Sequence, residues 1–345
     1  MSEKKVTMKD IADFTHFSKT TISRFFNRPE SVSPENREKI AEALRVLNYK
    51  ENKVARILAR GKTEFIGLLV PNLFLSYYGE VMDSFLRSYQ KYGYKFIVFA
   101  GSDSEETERK YIEELMAYQI EGLIVLTHTM SSEELASLPV PVVGLEREDK
   151  YIDSVNTDNY MGGVQAARHL ADCECDILIH INSDARPEIP ASLRIAGFTD
   201  FCREQHLPYE LFIEPYDNTY VHMKSVICRT ADQIIEKYPG LRKGIFVSND
   251  SAASILLNHL VGRFGGLPEE FRIVGFDNSR ISQESIVPIS TVGQQIDIMT
   301  DDAMQLLIAQ IQDHTEKTGT AAAAPVHKII PPVLIPRATS VPEIT

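Results

Sequence analysis

Beyond residue 62 the chain runs as two series of short apolar stretches, each followed by a longer segment of helical character. The first series is "FIGLLVP" from Phe65, "KFIVFAG" from Lys95, "GLIVLTH" from Gly122 and "PVVGLE" from Pro141. The second is "DILIHIN" from Asp176, "LFIEP" from Leu211, "GIFVSND" from Gly244 and "RIVGFDN" from Arg272. Such runs are too short for core helices and too uniformly apolar for a strand with one wet face. They suit parallel strands covered on both sides by crossover helices such as "ETERKYIEELMAYQIE". Two series predict two similar α/β lobes. In parallel sheets of this kind ligands sit beyond the carboxyl ends of the strands. The residues to watch are therefore Asn72, His128, Glu146, Asn182, Asn249, Asp250 and Asp277. No phosphate-binding glycine motif of either nucleotide type follows any of these strands.

The first fifty residues follow another rule. Thr7 and Asp10 are spaced as a capping box, and "MKDIADF" places Ile11 and Phe14 near one face. Ser18 caps a second helix running to about Asn27, with Ile22 and Phe25 as its apolar stripe. Ser33 followed by Pro34 opens a third, whose stripe is Ile40, Ala43, Leu44 and Leu47. Three short helices with a tight turn between the first two form a helix-turn-helix. The second leaves Lys19, Thr20, Thr21, Ser23 and Arg24 for a partner or for solvent.

Charge separates these parts. Residues 1–62 hold 14 Lys/Arg against 8 Asp/Glu, a net of +6, while the other 283 carry −18. A basic head on an acidic body is expected when one small segment meets a polyanion. The four cysteines, Cys173, Cys175, Cys202 and Cys228, lack zinc spacing, and no cofactor or metal is implied. "MSEKKVTMKD" has no apolar signal core and no run of 18 apolar residues occurs, so a cytoplasmic protein without a membrane partner is expected.

The head, "VTMKDIADFTHFSKTTISRFFN" followed by "VSPENREKIAEALRVLNYKENKVARILA", resembles the LacI/GalR family of bacterial transcriptional regulators. So do "RGKTEFIGLLVPN", "VNTDNYMGG", "LRIAGF", "VSNDSAA", "IVGFDNS", "STVGQQ" and "VLIPRATS", in the family's order along essentially the whole chain. The resemblance implies an α/β fold: an N-terminal helix-turn-helix headpiece followed by a two-lobed, periplasmic-binding-protein-like core of parallel sheets. It implies a headpiece at 1–50, a hinge helix at 51–61 and an effector-binding, dimerising core at 62–345. Lobe one would take about 62–160 and 292–323, lobe two 161–291 and 324–340.

It also implies a sequence-specific DNA-binding regulator, a repressor of carbohydrate-utilisation genes and not an enzyme. Lys19, Thr20 and Arg24 would touch base edges in the major groove, and Thr7, Ser18, Thr21, Ser23 and Asn27 would hold phosphates. Asn52 would cap the hinge helix, and Leu58 would enter the minor groove as a wedge. The operator would be a pseudo-palindrome read by a homodimer. Two departures stand out. His16 occupies the turn position where the family usually has glycine, and Glu51 replaces the proline before the hinge asparagine.

The matching effector positions are Tyr77, Tyr78, Glu146, Asp158, Arg194, Asn249, Asp277 and Gln294, with Tyr216 as a second aromatic platform. Carboxylates, Arg and Asn clamp paired hydroxyls, and an aromatic ring takes a sugar's C–H face, so a small carbohydrate effector is expected. A purine-type effector is the alternative, disfavoured by Glu146, Asp158 and Asp277. A carbohydrate-active enzyme using Glu146 and Asp277 is a more distant one.

Overall fold

The computed structural model describes residues 6–50, 61–101, 104–147, 150–183, 189–216, 219–316 and 324–341. The chain divides into a unit comprising Met1–Lys62 and another comprising Thr63–Thr345.

The first unit is built on α1 (Met8–Thr15), α2 (Lys19–Asn27) and α3 (Pro34–Val46). Thr7 and Asp10 close a reciprocal capping box, Ser18 accepts from the Thr21 amide, and Ser33 accepts from Asn36 ahead of Pro34. Ile11, Ala12, Ile22, Val32, Ile40 and Ala43 form the core, lined by Phe25, Leu44 and Leu47. Phe14 departs from the expected stripe: it is half exposed, and Ala12 fills the core position instead. His16 keeps the left-handed turn at φ 58° despite its side chain. That conformation costs a non-glycine residue about 1 kcal/mol.

Among the described residues the second unit holds two six-stranded sheets. The first contains β1 (Phe65–Val70), β2 (Lys95–Ala100), β3 (Gly122–Val125), β4 (Val142–Leu145), β5 (Asp153–Thr157) and β11 (His327–Ile330), all parallel. The second contains β6 (Ile177–Asn182), β7 (Tyr209–Ile213), β8 (Lys243–Val247), β9 (Phe271–Asp277), β10 (Ser290–Gly293) and β12 (Val333–Ile335). Only β12 there runs antiparallel, against β10. Alternation along β1 shows how both faces are covered. Ile66, Leu68 and Val70 join one apolar cluster, and Leu69 joins another. The helices used below are α4 (Ser76–Arg87), α5 (Glu105–Ala117), α6 (Ser132–Ala136), α7 (Asn159–Asp172), α8 (Leu193–Glu204), α9 (Tyr220–Lys237), α10 (Asp250–Phe264), α11 (Arg280–Glu284) and α12 (Ile296–Glu316).

Among the described residues the chain passes between the sheets three times. After β5 it enters α7, whose Ala166, Ala167 and Leu170 pack in the second lobe. After β10 it returns, because α12 buries Met299, Ala303, Met304 and Leu307 in the first. The last passage corrects an expectation. Residues 324–340 do not lie wholly in lobe two: β11 pairs with β5 in the first sheet and only β12 lies in the second. Pro331 and Pro332 separate them, since neither has an amide to extend a ladder.

Candidate effector cavity and DNA-reading helix

A cavity of about 590 Å³ opens between the two lobes, and its polar lining comes from strand carboxyl ends, as the topology requires. Lobe one supplies Asn72 after β1, Thr127–Thr129 after β3 and Glu146 after β4. Lobe two supplies Asn182, Tyr216, Ser248, Asn249 and Asp277, ending β6 to β9, and Gln294 follows β10. Tyr77 and Tyr78, on the first turn of α4, meet edge to face at 5.3 Å on the wall.

Arg194 is the centre of the polar network and is 5% exposed. Its Nε donates to Asn159 Oδ1 at 2.7 Å, and its Nη1 donates to the Ser248 carbonyl at 2.5 Å. Its Nη2 lies 3.9 Å from Glu146, and the guanidinium sits 3.5 Å above the Phe276 ring. Glu146 accepts the Thr157 amide and, at 3.2 Å, the Asn159 side chain. This buried pair therefore has the extra hydrogen bonds such a pair needs to offset desolvation.

Asp277 behaves differently. Burial, reinforced by Asp250 and Glu146, drives its carboxyl well above the usual carboxylate range, against the pull of Arg194 and Gln294. Gln294 Nε2 donates to its Oδ1 at 2.7 Å while Gln294 Oε1 accepts from Thr157 at 2.6 Å. The cavity thus combines a buried carboxyl whose ionisation its surroundings oppose, a second carboxyl beside Arg194, amides and aromatic faces. Polyhydroxyl compounds match that mixture. Burial, then Glu146 and Asp277, also pushes both tyrosine hydroxyls above their ordinary range, keeping them as O–H donors. The Tyr77 hydroxyl is buried with no partner among the described residues.

Of the expected effector residues, Tyr77, Tyr78, Glu146, Arg194, Tyr216, Asn249, Asp277 and Gln294 line this cavity, and Asp158 does not. The Asp158 carboxylate is spent as the N-cap of α7, accepting the Met161 amide at 2.9 Å. Asn159, one residue later and fully buried, connects Glu146 to Arg194; nothing in the local pattern distinguishes it from a helix-start residue. Asn72, His128 and Asn182 stand in the wall, as their strand-end positions imply.

In the head, Ser18 caps α2 and bonds the Thr21 hydroxyl at 2.9 Å, which fixes both at the helix start. Lys19, Thr20 and Arg24 are exposed on α2, whereas Thr21 and Ser23 are half-buried. Thr7 donates its amide and its hydroxyl to Asp10, each at 2.7 Å. Asn27 ends the helix. Asn52 and Leu58 lie outside the described residues.

Family models match successive, partly overlapping stretches of the chain. The model for bacterial regulatory proteins of the lacI family matches residues 7–52, and that for periplasmic binding proteins and the sugar-binding domain of the LacI family matches 63–208. A periplasmic-binding-protein-like domain matches 167–340. The chain belongs to the LacI family. Among LacI-family relatives it is 28% identical over 309 residues to the ribose operon repressor of Halalkalibacterium halodurans, covering 89% of this chain and 90% of that one. It is 26% identical to the sucrose operon repressor of Pediococcus pentosaceus, covering 90% and 93%. A LacI-type regulator from Alkaliphilus metalliredigens complexed with D-xylulofuranose superposes with a TM-score of 0.70 at 28% identity, over 81% of this chain and 99% of that one. The lac repressor dimer bound to operator and anti-inducer shares the fold with a TM-score of 0.80 at 21% identity, covering 98% and 100%. As a LacI-family member, similar along most of its length to operon repressors, the chain is a DNA-binding transcriptional regulator and not an enzyme. No described helix is long and apolar enough to cross a membrane.

Proposed function

We propose that this protein represses carbohydrate-utilisation genes and that a small sugar or sugar derivative in the inter-lobe cavity sets its affinity for operator DNA. The observation that carries this reading is the lining of that cavity: Arg194, Glu146, Asp277, Asn249 and Gln294 beside the rings of Tyr77, Tyr78 and Tyr216. A hydroxyl-rich ligand meets paired donors and acceptors there and an apolar face for its C–H groups. Relatives named for ribose and sucrose operons and a neighbour holding a pentulose support the same class.

In this reading residues 1–50 are the headpiece, 51–61 the hinge and 62–345 the effector-binding core. Lys19, Thr20 and Arg24 read bases, and Thr7, Ser18, Thr21, Ser23 and Asn27 hold phosphates. A homodimer, as in the lac repressor structure, presents two heads to a pseudo-palindrome in the cytoplasm. The ligand acts by its differential affinity for two arrangements of the lobes.

A thermal-shift panel of mono- and disaccharides, sugar phosphates and purines tests the effector class. The expected result is a sugar hit that disappears in Asp277→Ala and Arg194→Ala. A purine hit, or a sugar shift that survives both substitutions, overturns it.

A further inference from the structure

Behind the lobe-one wall lies a buried polar arrangement that the effector reading leaves unused. Glu108, on α5, is 0% exposed and accepts a hydrogen bond from the Thr127 hydroxyl through Oε1. No donor among the described residues reaches its Oε2. On the same helix face lie Ile112 and Leu115, both buried in an apolar cluster, so a leucine would suit the surroundings better than a half-satisfied carboxyl.

Thr127 is held from its other end by Arg147, which is 6% exposed. Arg147 Nη1 donates to the Thr127 carbonyl and Nη2 to the Met130 carbonyl, so one guanidinium spans the whole 127–130 segment. Its backbone is locked in turn: the Arg147 amide donates to Asn156 Oδ1 at 2.7 Å, and Asn156 Nδ2 returns a bond to the Arg147 carbonyl at 3.2 Å. The preceding residue is Glu146, in the left-handed region at φ 52°. Neither Glu108 nor Arg147 lines the cavity, yet Thr127, His128, Thr129 and Glu146 do.

We propose that Glu108 and Arg147 are positioning residues that hold the Thr127–Met130 segment, and with it the lobe-one wall of the cavity, in register with Glu146. The inference rests on the effector reading for its purpose, but its test needs no ligand. Glu108 fixes the segment through the Thr127 side chain, and Arg147 fixes it through two carbonyls. The energetic cost of an incompletely paired buried carboxyl is then offset by a single defined wall geometry.

The test uses the full chain labelled at methionine methyls, with Met130 as reporter and Met82 and Met304, which lie in the cluster on the sheet's opposite face, as internal references. Glu108→Leu removes the acceptor at similar volume, whereas Glu108→Gln retains an oxygen for Thr127. Arg147→Lys removes the two-carbonyl span. Glu108→Leu and Arg147→Lys are expected to shift or broaden the Met130 resonance while Met82 and Met304 hold, and Glu108→Gln to leave all three in place. Thr127→Val breaks the same bond from its other end and gives the same pattern if Glu108→Leu does not fold. An unchanged Met130 in Glu108→Leu, or a shift common to all three methyls, overturns the proposal. Loss of every sugar response in the unmodified chain, with this pattern intact, would instead count against the effector reading alone.

Discussion

Replacing Gly197 by alanine inserts one methyl group where α7 and α8 touch backbone to backbone. A Cβ there would lie 2.0 Å from the Tyr160 carbonyl oxygen, 2.9 Å from its carbon and 3.1 Å from the Val164 nitrogen. The reciprocal position, Gly163, faces the Arg194 carbonyl at 2.3 Å. Ordinary contact begins at 3.4 Å, so the helices must part by about 1.4 Å, and no flexible side chain can absorb the overlap. Overpacking of this kind costs about 1–3 kcal/mol. Alanine returns about 1 kcal/mol of helix propensity. The net expectation is a loss of up to about 2 kcal/mol. Gly262, exposed on α10 with nothing within 4 Å of where a methyl would stand, supplies the control. Gly262→Ala should stabilise by about 0.5–1 kcal/mol. Urea midpoints at fixed protomer concentration read both. Because Arg194 sits one turn before Gly197, the same displacement should break its 2.7 Å bond to Asn159 and abolish the sugar thermal shift. A Gly197→Ala midpoint at or above the unmodified protein, alongside a normal Gly262→Ala, would show that the helix contact is not what seats Arg194.

Asp277→Asn tests the protonation of the cavity. The native carboxyl holds its proton far above the ordinary value of 3.8, whereas the unfolded chain releases it there. The unfolded state therefore binds fewer protons as pH rises from about 4, and that group's contribution to stability declines. Asparagine keeps the acceptor for Gln294, so the variant's urea midpoint relative to the unmodified protein should climb as pH rises above about 4, and a constant offset would refute the assignment. His16→Gly relieves the φ 58° strain and should stabilise the head by about 0.5–1 kcal/mol, read as slower amide exchange in α1 and α2 of the full chain. Arg24→Ala should cost about 1–3 kcal/mol of operator binding and relax preference at one base pair, measured by anisotropy on a selected site. Uniform weakening on all sequences would reassign Arg24 to a phosphate.

The parts legible in the sequence are those governed by local chemistry. Thr7–Asp10, Ser18 and Ser33–Pro34 announce helix starts, and uninterrupted apolar runs such as "FIGLLVP" announce strands buried on both faces. The strands β5 and β10 are visible only as family motifs, because Asp153–Thr157 and Ser290–Gly293 are too polar to stand out. Asp158 looks like a cavity carboxylate because capping and ligand binding use the same residue type at the same strand-to-helix junction. Glu108 and Arg147 are illegible for the opposite reason. Each stands among other charged residues that read as a solvated surface, and only tertiary packing reveals that these two are buried. The division of β11 from β12 depends on pairing partners more than 160 residues away in one case.

The three passages between the sheets lie side by side, tied by Gln295 to the Pro331 carbonyl at 2.7 Å, by Gln165 to that of Pro332 at 3.2 Å and by the Asp158 amide to Ile330 at 2.9 Å. Such a triple tether behaves as a flexure and not as a swivel. It lets the lobes tilt about one line while resisting twist and separation. Severing any single passage would leave two, so a nicked body should stay assembled, with its closing motion degraded before its integrity.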